Sequence, residues 1–211
     1  MNGTILNILQ DPRLALISEP SNLMVSRIQL YLDLLVKWNR KINLTAERDP
    51  EEILTRHVFD SLQYSRGLQP DFRVMDIGSG AGFPGIPLKI IFPEMALVMV
   101  ESQRKRCSFL EVAVREIGLD GATVINVRAE DIPAQQEGKF SAVVFRAVSG
   151  LNPCLALGER FVASGGRLVV KKPPDETLRQ QKSGLFLKDE IAITSYHGLV
   201  SSLLVFEKCF T

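Results

Sequence analysis

The sequence is poor in the residues that build metal sites and disulfide frameworks. It holds three cysteines, Cys107, Cys154 and Cys209, and two histidines, His57 and His197. The cysteines are odd in number and lack Cys-x-x-Cys spacing. Secreted domains are stapled by paired cysteines, and zinc is held by clustered Cys and His. The chain therefore reads as a protein of a reducing compartment, with no disulfide framework and no metal. No apolar run approaches the ~18 residues of a membrane span. Asp11-Pro12-Arg13 breaks the first apolar stretch, which argues against a signal peptide. A cytoplasmic location is expected, without a membrane partner. Charge of one sign is also lacking: 25 Lys and Arg stand against 24 Asp and Glu, for a net charge of +1. No global field draws the chain to nucleic acid, so any RNA site must be a local patch. There is no Gly-x-Ser-x-Gly elbow, no Walker lysine motif and no internal repeat.

What is present is an ordinary globular composition, 45% hydrophobic and 23% charged over 211 residues. That length suits one domain with a small accessory lobe. The most informative stretch is Arg73-Val74-Met75-Asp76-Ile77-Gly78-Ser79-Gly80-Ala81-Gly82-Phe83-Pro84-Gly85. It reads as a buried strand, a tight glycine turn, and a helix opened by Pro84 or Pro87. Glycines permit φ > 0 and leave no Cβ between backbone and ligand. A helix N-terminus adds free N–H groups. Together they form a shelf for a nucleoside or an anionic group at a strand end. Gly80-x-Gly82-x-x-Gly85 fits the dinucleotide fingerprint. Gly78, Gly80 and Gly82, with Asp76 ahead of them, fit the S-adenosylmethionine loop of class I methyltransferases. The second reading is favoured, because Phe83-Pro84 interrupts where a dinucleotide-binding helix would begin.

The first seventy residues carry helical signals only. Met24, Ile28, Tyr31, Leu35 and Trp38 recur at three- and four-residue steps through 21–38. Asp49-Pro50-Glu51-Glu52 announces a further helix, running to about Ser65. From Arg73 the pattern alternates. Strands are expected at 73–77, 96–101, 122–127, 140–145 and 166–171. Helices are expected at 85–92, 102–117 and 153–162, the second stopped by Gly118 and the third started by Asn152-Pro153. Such alternation implies a parallel sheet with helices on both faces. Segments 189–195 and 200–208 read as a terminal hairpin turning at His197-Gly198. The expected fold is α/β: a doubly wound, mostly parallel, Rossmann-like sheet with an antiparallel terminal strand. An N-terminal helical cap (1–70) precedes the methyltransferase domain (71–211).

In such sheets ligands lie beyond the carboxyl ends of the strands. Asp76 and the glycines end the first strand. Glu101 ends the second, where a carboxylate can accept hydrogen bonds from ribose hydroxyls. Ala129 and Glu130 follow the third, beside the adenine position of this fold. Arg146 ends the fourth, and an arginine after a buried run must face a partner such as a carboxylate or phosphate. Lys171-Lys172 ends the fifth and is a candidate phosphate contact. Arg40, Lys41 and Arg48 form a basic patch in the cap, with Asn39 and Asn43 interleaved, that suits RNA. Arg56-His57 and Asp60-Ser61 lie at pairing distance along one helix. His57 reads as structural, not as a proton carrier. No Asp/Asn-Pro-Pro-aromatic signature of exocyclic-amine methylation follows strand four.

Several blocks together resemble the bacterial ribosomal RNA small-subunit methyltransferase G family, also called glucose-inhibited division protein B. They are Trp38-Asn39, Asn43-Leu44-Thr45, Arg56-His57-x-x-Asp60-Ser61-Leu62, Asp76 to Leu88, Phe109-Leu110, Ala129-Glu130 and Arg146-Ala147. The likeness runs from about Tyr31 to Leu157. It implies methylation of guanine N7 in 16S ribosomal RNA with S-adenosylmethionine as donor. It also implies cofactor contacts at Gly78, Phe83, Ala129, Glu130 and Arg146. Where that family often has Lys-Gly after strand five, this chain has Lys171-Lys172-Pro173-Pro174. The rival readings are an NAD-dependent reductase, and an RNA-binding protein that holds S-adenosylmethionine only as a ligand.

Overall fold

The computed structural model describes residues 1–17, 19–146, 150–172 and 184–209. Seven strands form one sheet in the order β3-β2-β1-β4-β5-β7-β6. β1 (Arg73–Ile77), β2 (Ala96–Val100), β3 (Ala122–Ile125), β4 (Phe140–Phe145) and β5 (Val162–Lys171) are parallel. β7 (Val200–Lys208) runs antiparallel to β5 and to the edge strand β6 (Leu185–Thr194). The doubly wound sheet with a terminal hairpin is thus the fold expected. β5 begins earlier than its apolar run suggests. Its first residues pair irregularly with β4, and Gly165 takes φ +71 there, so strand geometry survives where the hydrophobic pattern lapses.

Pleating sorts the strand residues onto two faces. Val74, Met99, Val144 and Val169 join the core that also contains Ile28, Leu35, Phe59 and Leu62 of the N-terminal helices. Met75, Val100, Val143 and Val170 join the opposite core, with Leu151 and Leu155. The N-terminal helices therefore share one core with the sheet. They are α1 (Asn2–Leu9), α2 (Asn22–Asn39), α3 (Pro50–Ile53) and α4 (Phe59–Leu62), with a π-helical turn at Leu54–Val58 between the last two. Ser21 caps α2 and Asp49 caps α3 through its carboxylate. α5 (Gly85–Ile91) follows Pro84, and α6 (Arg104–Ile117) ends at Gly118 in the left-handed region, φ +70. α7 spans Leu151–Glu159 and not 153–162. Pro153 sits inside its first turn, where the missing N–H has no intrahelical partner to lose.

Two fully buried tyrosines of the N-terminal helices reach across to the sheet. Tyr31 on α2 donates its hydroxyl to the Ala81 carbonyl at 2.6 Å. Tyr64, just after α4, donates to the Phe145 carbonyl at 2.7 Å and accepts the Lys171 amide at 3.3 Å. Removing a buried donor leaves its acceptor unsatisfied. Tyr31→Phe keeps the ring and deletes only the hydroxyl, so it should cost about 1–3 kcal/mol in urea unfolding. A loss under about 0.5 kcal/mol would place the Ala81 carbonyl in contact with water instead.

Candidate active site

The glycine loop leaves β1 with Gly78, Gly80 and Gly82 at φ +78, +57 and +96. The amides of Gly78 and Ser79 donate to the Val100 carbonyl, at 2.9 and 3.1 Å. The Gly80 amide donates to Oε2 of Glu101 at 2.9 Å, and Oε1 accepts from the Gln103 amide at 2.8 Å. Glu101 thus pins the loop to the end of β2. The individual glycines do different work. A Cβ on Gly78 would meet nothing within 4 Å, whereas one on Gly82 would lie 2.5 Å from Cδ1 of Ile86. Gly78 opens onto a cleft; Gly82 lets the loop pack on α5.

That cleft holds about 350 Å³ and is lined by Gly78, Glu101, Ala129 and Glu130, with Phe145 and Leu157 among its apolar walls. Four of the expected cofactor residues therefore meet at the ends of three neighbouring strands. The donor set suits a nucleoside: a buried carboxylate beside an open glycine backbone, with apolar walls for a ring.

Asp76, Phe83 and Arg146 lie on the face of the N-terminal helices instead. Asp76 alternates with Val74 on that face and is wholly buried. Its Oδ2 accepts the Gly85 amide at 3.1 Å at the start of α5, and Oδ1 has no partner among the described residues. Burial pushes its pKa up to about 7, against the pull of the Gly85 amide, Ser79 and the Arg146 charge. Arg146 continues the alternation from Val144. Its guanidinium lies 5.0 Å over the Phe83 ring, and Nη2 approaches Nδ1 of His57 at 2.7 Å. His57 stacks on Phe83 with ring centroids 5.1 Å apart, and its Nε2 lies 2.6 Å from Oε2 of Glu47.

The basic candidates separate in the same way. Arg40, Lys41 and Arg48 are exposed, with no ion pair among the described residues. Lys171 pairs with Asp60 at 2.7 Å and Lys172 with Glu190 at 3.2 Å, so both are already neutralised by carboxylates. Pro173 and Pro174 lie outside the described residues, as does Ala147. Asp60 consequently does not pair with Arg56 or His57. Arg56 turns to Glu47 at 3.7 Å, while Ser61 donates to the His57 carbonyl at 2.6 Å. Asn39 spends its amide within the chain, on the backbone of Leu44, Thr45 and Glu47. Trp38 packs on Phe109, centroids 5.9 Å apart. Glu47 and Tyr64 carry no motif that marks them in the sequence. Their importance lies in contacts with partners distant along the chain. Among the described residues no cluster of His, Cys, Asp and Glu is arranged to hold a metal, and no helix is long and apolar enough to cross a membrane.

Sheet order, glycine loop and cleft define a class I S-adenosylmethionine-dependent methyltransferase. Solved structures share the fold. M. jannaschii TYW2 in complex with AdoMet superposes with a TM-score of 0.57 at 16% identity, covering 72% of this chain and 74% of that one. A SAM dependent methyltransferase from Aquifex aeolicus gives 0.54 at 14% identity, covering 74% and 93%. Residues 24–200 match the sequence model of rRNA small subunit methyltransferase G, and the chain belongs to that family. The Ribosomal RNA small subunit methyltransferase G of Alkaliphilus metalliredigens is 34% identical over 196 residues, 87% of this chain and 82% of its own. That of Caldanaerobacter subterraneus subsp. tengcongensis is 39% identical over 166 residues, 76% and 70%.

The raised pKa of Asp76 has a measurable consequence. The folded state binds its proton more tightly than the unfolded state, so stability is fully present below the ordinary value of 3.8 and is lost as pH rises through about 7. A shift of that size corresponds to a loss on the order of 4 kcal/mol. Asp76→Asn should flatten the fall in melting temperature between about pH 4 and about pH 7. An unchanged slope would assign the fall to another group.

Proposed function

We propose that this chain methylates guanine N7 in 16S ribosomal RNA of the small subunit, and that its N-terminal helices help to bind the RNA. Bound S-adenosylmethionine supplies an electrophilic methyl group on a sulfonium. The chain's own part is to hold and orient. Gly78 offers an open backbone face, Glu101 offers carboxylate oxygens suited to ribose hydroxyls, and Ala129 and Glu130 flank the cleft. Arg146 presents a guanidinium suited to a carboxylate or to a substrate oxygen.

The family match carries the choice of N7, and the state of His57 agrees with it. His57 uses both ring nitrogens, toward Arg146 and toward Glu47, so it keeps no lone pair for a substrate proton. Guanine N7 has an in-plane lone pair and no proton at neutral pH, so it needs no general base. Orientation and fixed polar groups then dominate the rate. The non-catalytic alternative, a ligand-regulated RNA-binding protein, has the same cleft but transfers nothing.

Incubation with tritiated S-adenosylmethionine and small subunits lacking the modification should label the RNA. A substrate with 7-deazaguanine at the target should not be labelled. Labelling of that substrate at the normal rate would move the acceptor to another atom. Binding should also depend on salt through the basic patch. Changing Arg40, Lys41 and Arg48 together to Gln should flatten the log–log salt slope by about two to three. Cofactor affinity should stay unchanged. An unaltered slope would make the three residues plain surface charges.

A further inference from the structure

We propose that His57 and Glu47 are positioning residues that hold the Arg146 guanidinium across the Phe83 ring, through a directed hydrogen-bonded chain from the N-terminal helices to the end of β4. The direction follows from the donors. A guanidinium can only donate, so at 2.7 Å His57 Nδ1 is the acceptor. The ring proton then sits on Nε2 and is donated to Oε2 of Glu47 at 2.6 Å. Oε2 also accepts from the Thr45 hydroxyl at 2.5 Å. Those two bonds, Thr45 first, hold the Glu47 carboxyl down to about 2, so it remains the acceptor throughout the working range. Asn39, at the end of α2, fixes the Leu44–Glu47 loop by four hydrogen bonds to its backbone.

The backbone at His57 is also unusual. His57 lies in the π-helical turn Leu54–Val58, a distortion that often marks functional sites and rotates the side chains that follow it. A structural histidine in a regular helix would not need that turn. The ring stacks on the same Phe83 that Arg146 covers, so two sides of the guanidinium's seat come from this helix and the glycine loop. The remaining guanidinium N–H groups have no partner among the described residues and are available to a ligand.

Protonation tests this arrangement. The groups facing His57 are Glu47 from the loop, Arg146 from β4 and Asp60 on its own helix; Arg56 contacts Glu47, and Lys171 neutralises Asp60. Burial lowers the His57 pKa, and the Arg146 charge lowers it further against the pull of Glu47. A proton on Nδ1 would remove the acceptor and set two cations in contact. Arg146 is then released as pH falls through that lowered value.

The turnover arm rests on the proposed methyl transfer; the spectroscopic arm does not. In the full chain with ¹⁵N-labelled histidine, NMR at neutral pH should find Nδ1 bare and Nε2 protonated for His57. A proton on Nδ1 at neutral pH would overturn the chain of bonds. In single-turnover methylation of small subunits, His57→Phe keeps a ring on Phe83 but offers no acceptor. Its rate should fall by at least about tenfold, with RNA affinity retained and a lower melting temperature from the unpaired Glu47 carboxylate. His57→Asn restores an acceptor oxygen near the Nδ1 position without a titrating group. It should recover much of the rate and lose the fall at low pH. A wild-type rate in His57→Phe, or a persistent fall in His57→Asn, would overturn the proposal. If His57→Phe fails to fold, the pH profile of His57→Asn still decides. If the wild-type chain labels no RNA, the proposed function fails, and the tautomer alone decides the positioning role.

Discussion

The glycine loop after β1 must turn sharply with its backbone exposed to a ligand on one side, yet stay rigid. Three positive-φ glycines give the turn but no side chains to anchor it. The anchors therefore come from elsewhere. The Val100 carbonyl and Glu101 hold it from β2, Asp76 holds the helix that follows it, and Tyr31 holds the Ala81 carbonyl from α2. Each anchor is buried, where a hydrogen bond is electrostatically stronger and an unmade one more costly than in water. The loop's conformation is thus a property of the whole core.

That dependence explains why the N-terminal helices share a core with the sheet. Ile28, Leu35, Phe59 and Leu62 join the core formed by one face of the sheet, with α2 packed on α5 and α6. The N-terminal helices also deliver Tyr31 and Tyr64 to the strand ends. The same packing brings His57 and Asp60 to the face on which Arg146 and Lys171 emerge. The site so built has two parts at one end of the sheet. One is a cleft of open backbone and carboxylate. The other is an aromatic and guanidinium platform on Phe83. The loop between them is the shared wall.

Two carboxylates on the helix side of the loop behave in opposite senses. Asp76 is buried without a full partner and its pKa rises, so its charge is costly. Glu47 is well supplied with donors and its pKa falls, so its charge is secure. The difference follows from hydrogen bonding and desolvation, not from residue type.

Much of the fold was legible along the chain. Short buried apolar runs marked β1 and β4 to the residue, the three- and four-residue stripe marked α2, and Asp49 and Gly118 marked helix ends, because these signals act between near neighbours. The glycine spacing, and the placing of Glu101, Ala129 and Glu130 after strands, located the cleft for the same reason: strand ends follow from strand positions. The tertiary structure alone decided which charges stay free. Lys171 and Lys172 were candidates equal to Arg40 and Arg48 in sequence, yet their carboxylate partners arrive from distant segments. It also decided that Asp76 faces the helices while Gly78 faces the cleft, and that His57 meets an arginine 89 residues away. Such contacts leave no periodic trace, because a partner's identity depends on which faces the core brings together, and that is fixed only when the whole sheet and its helices have packed.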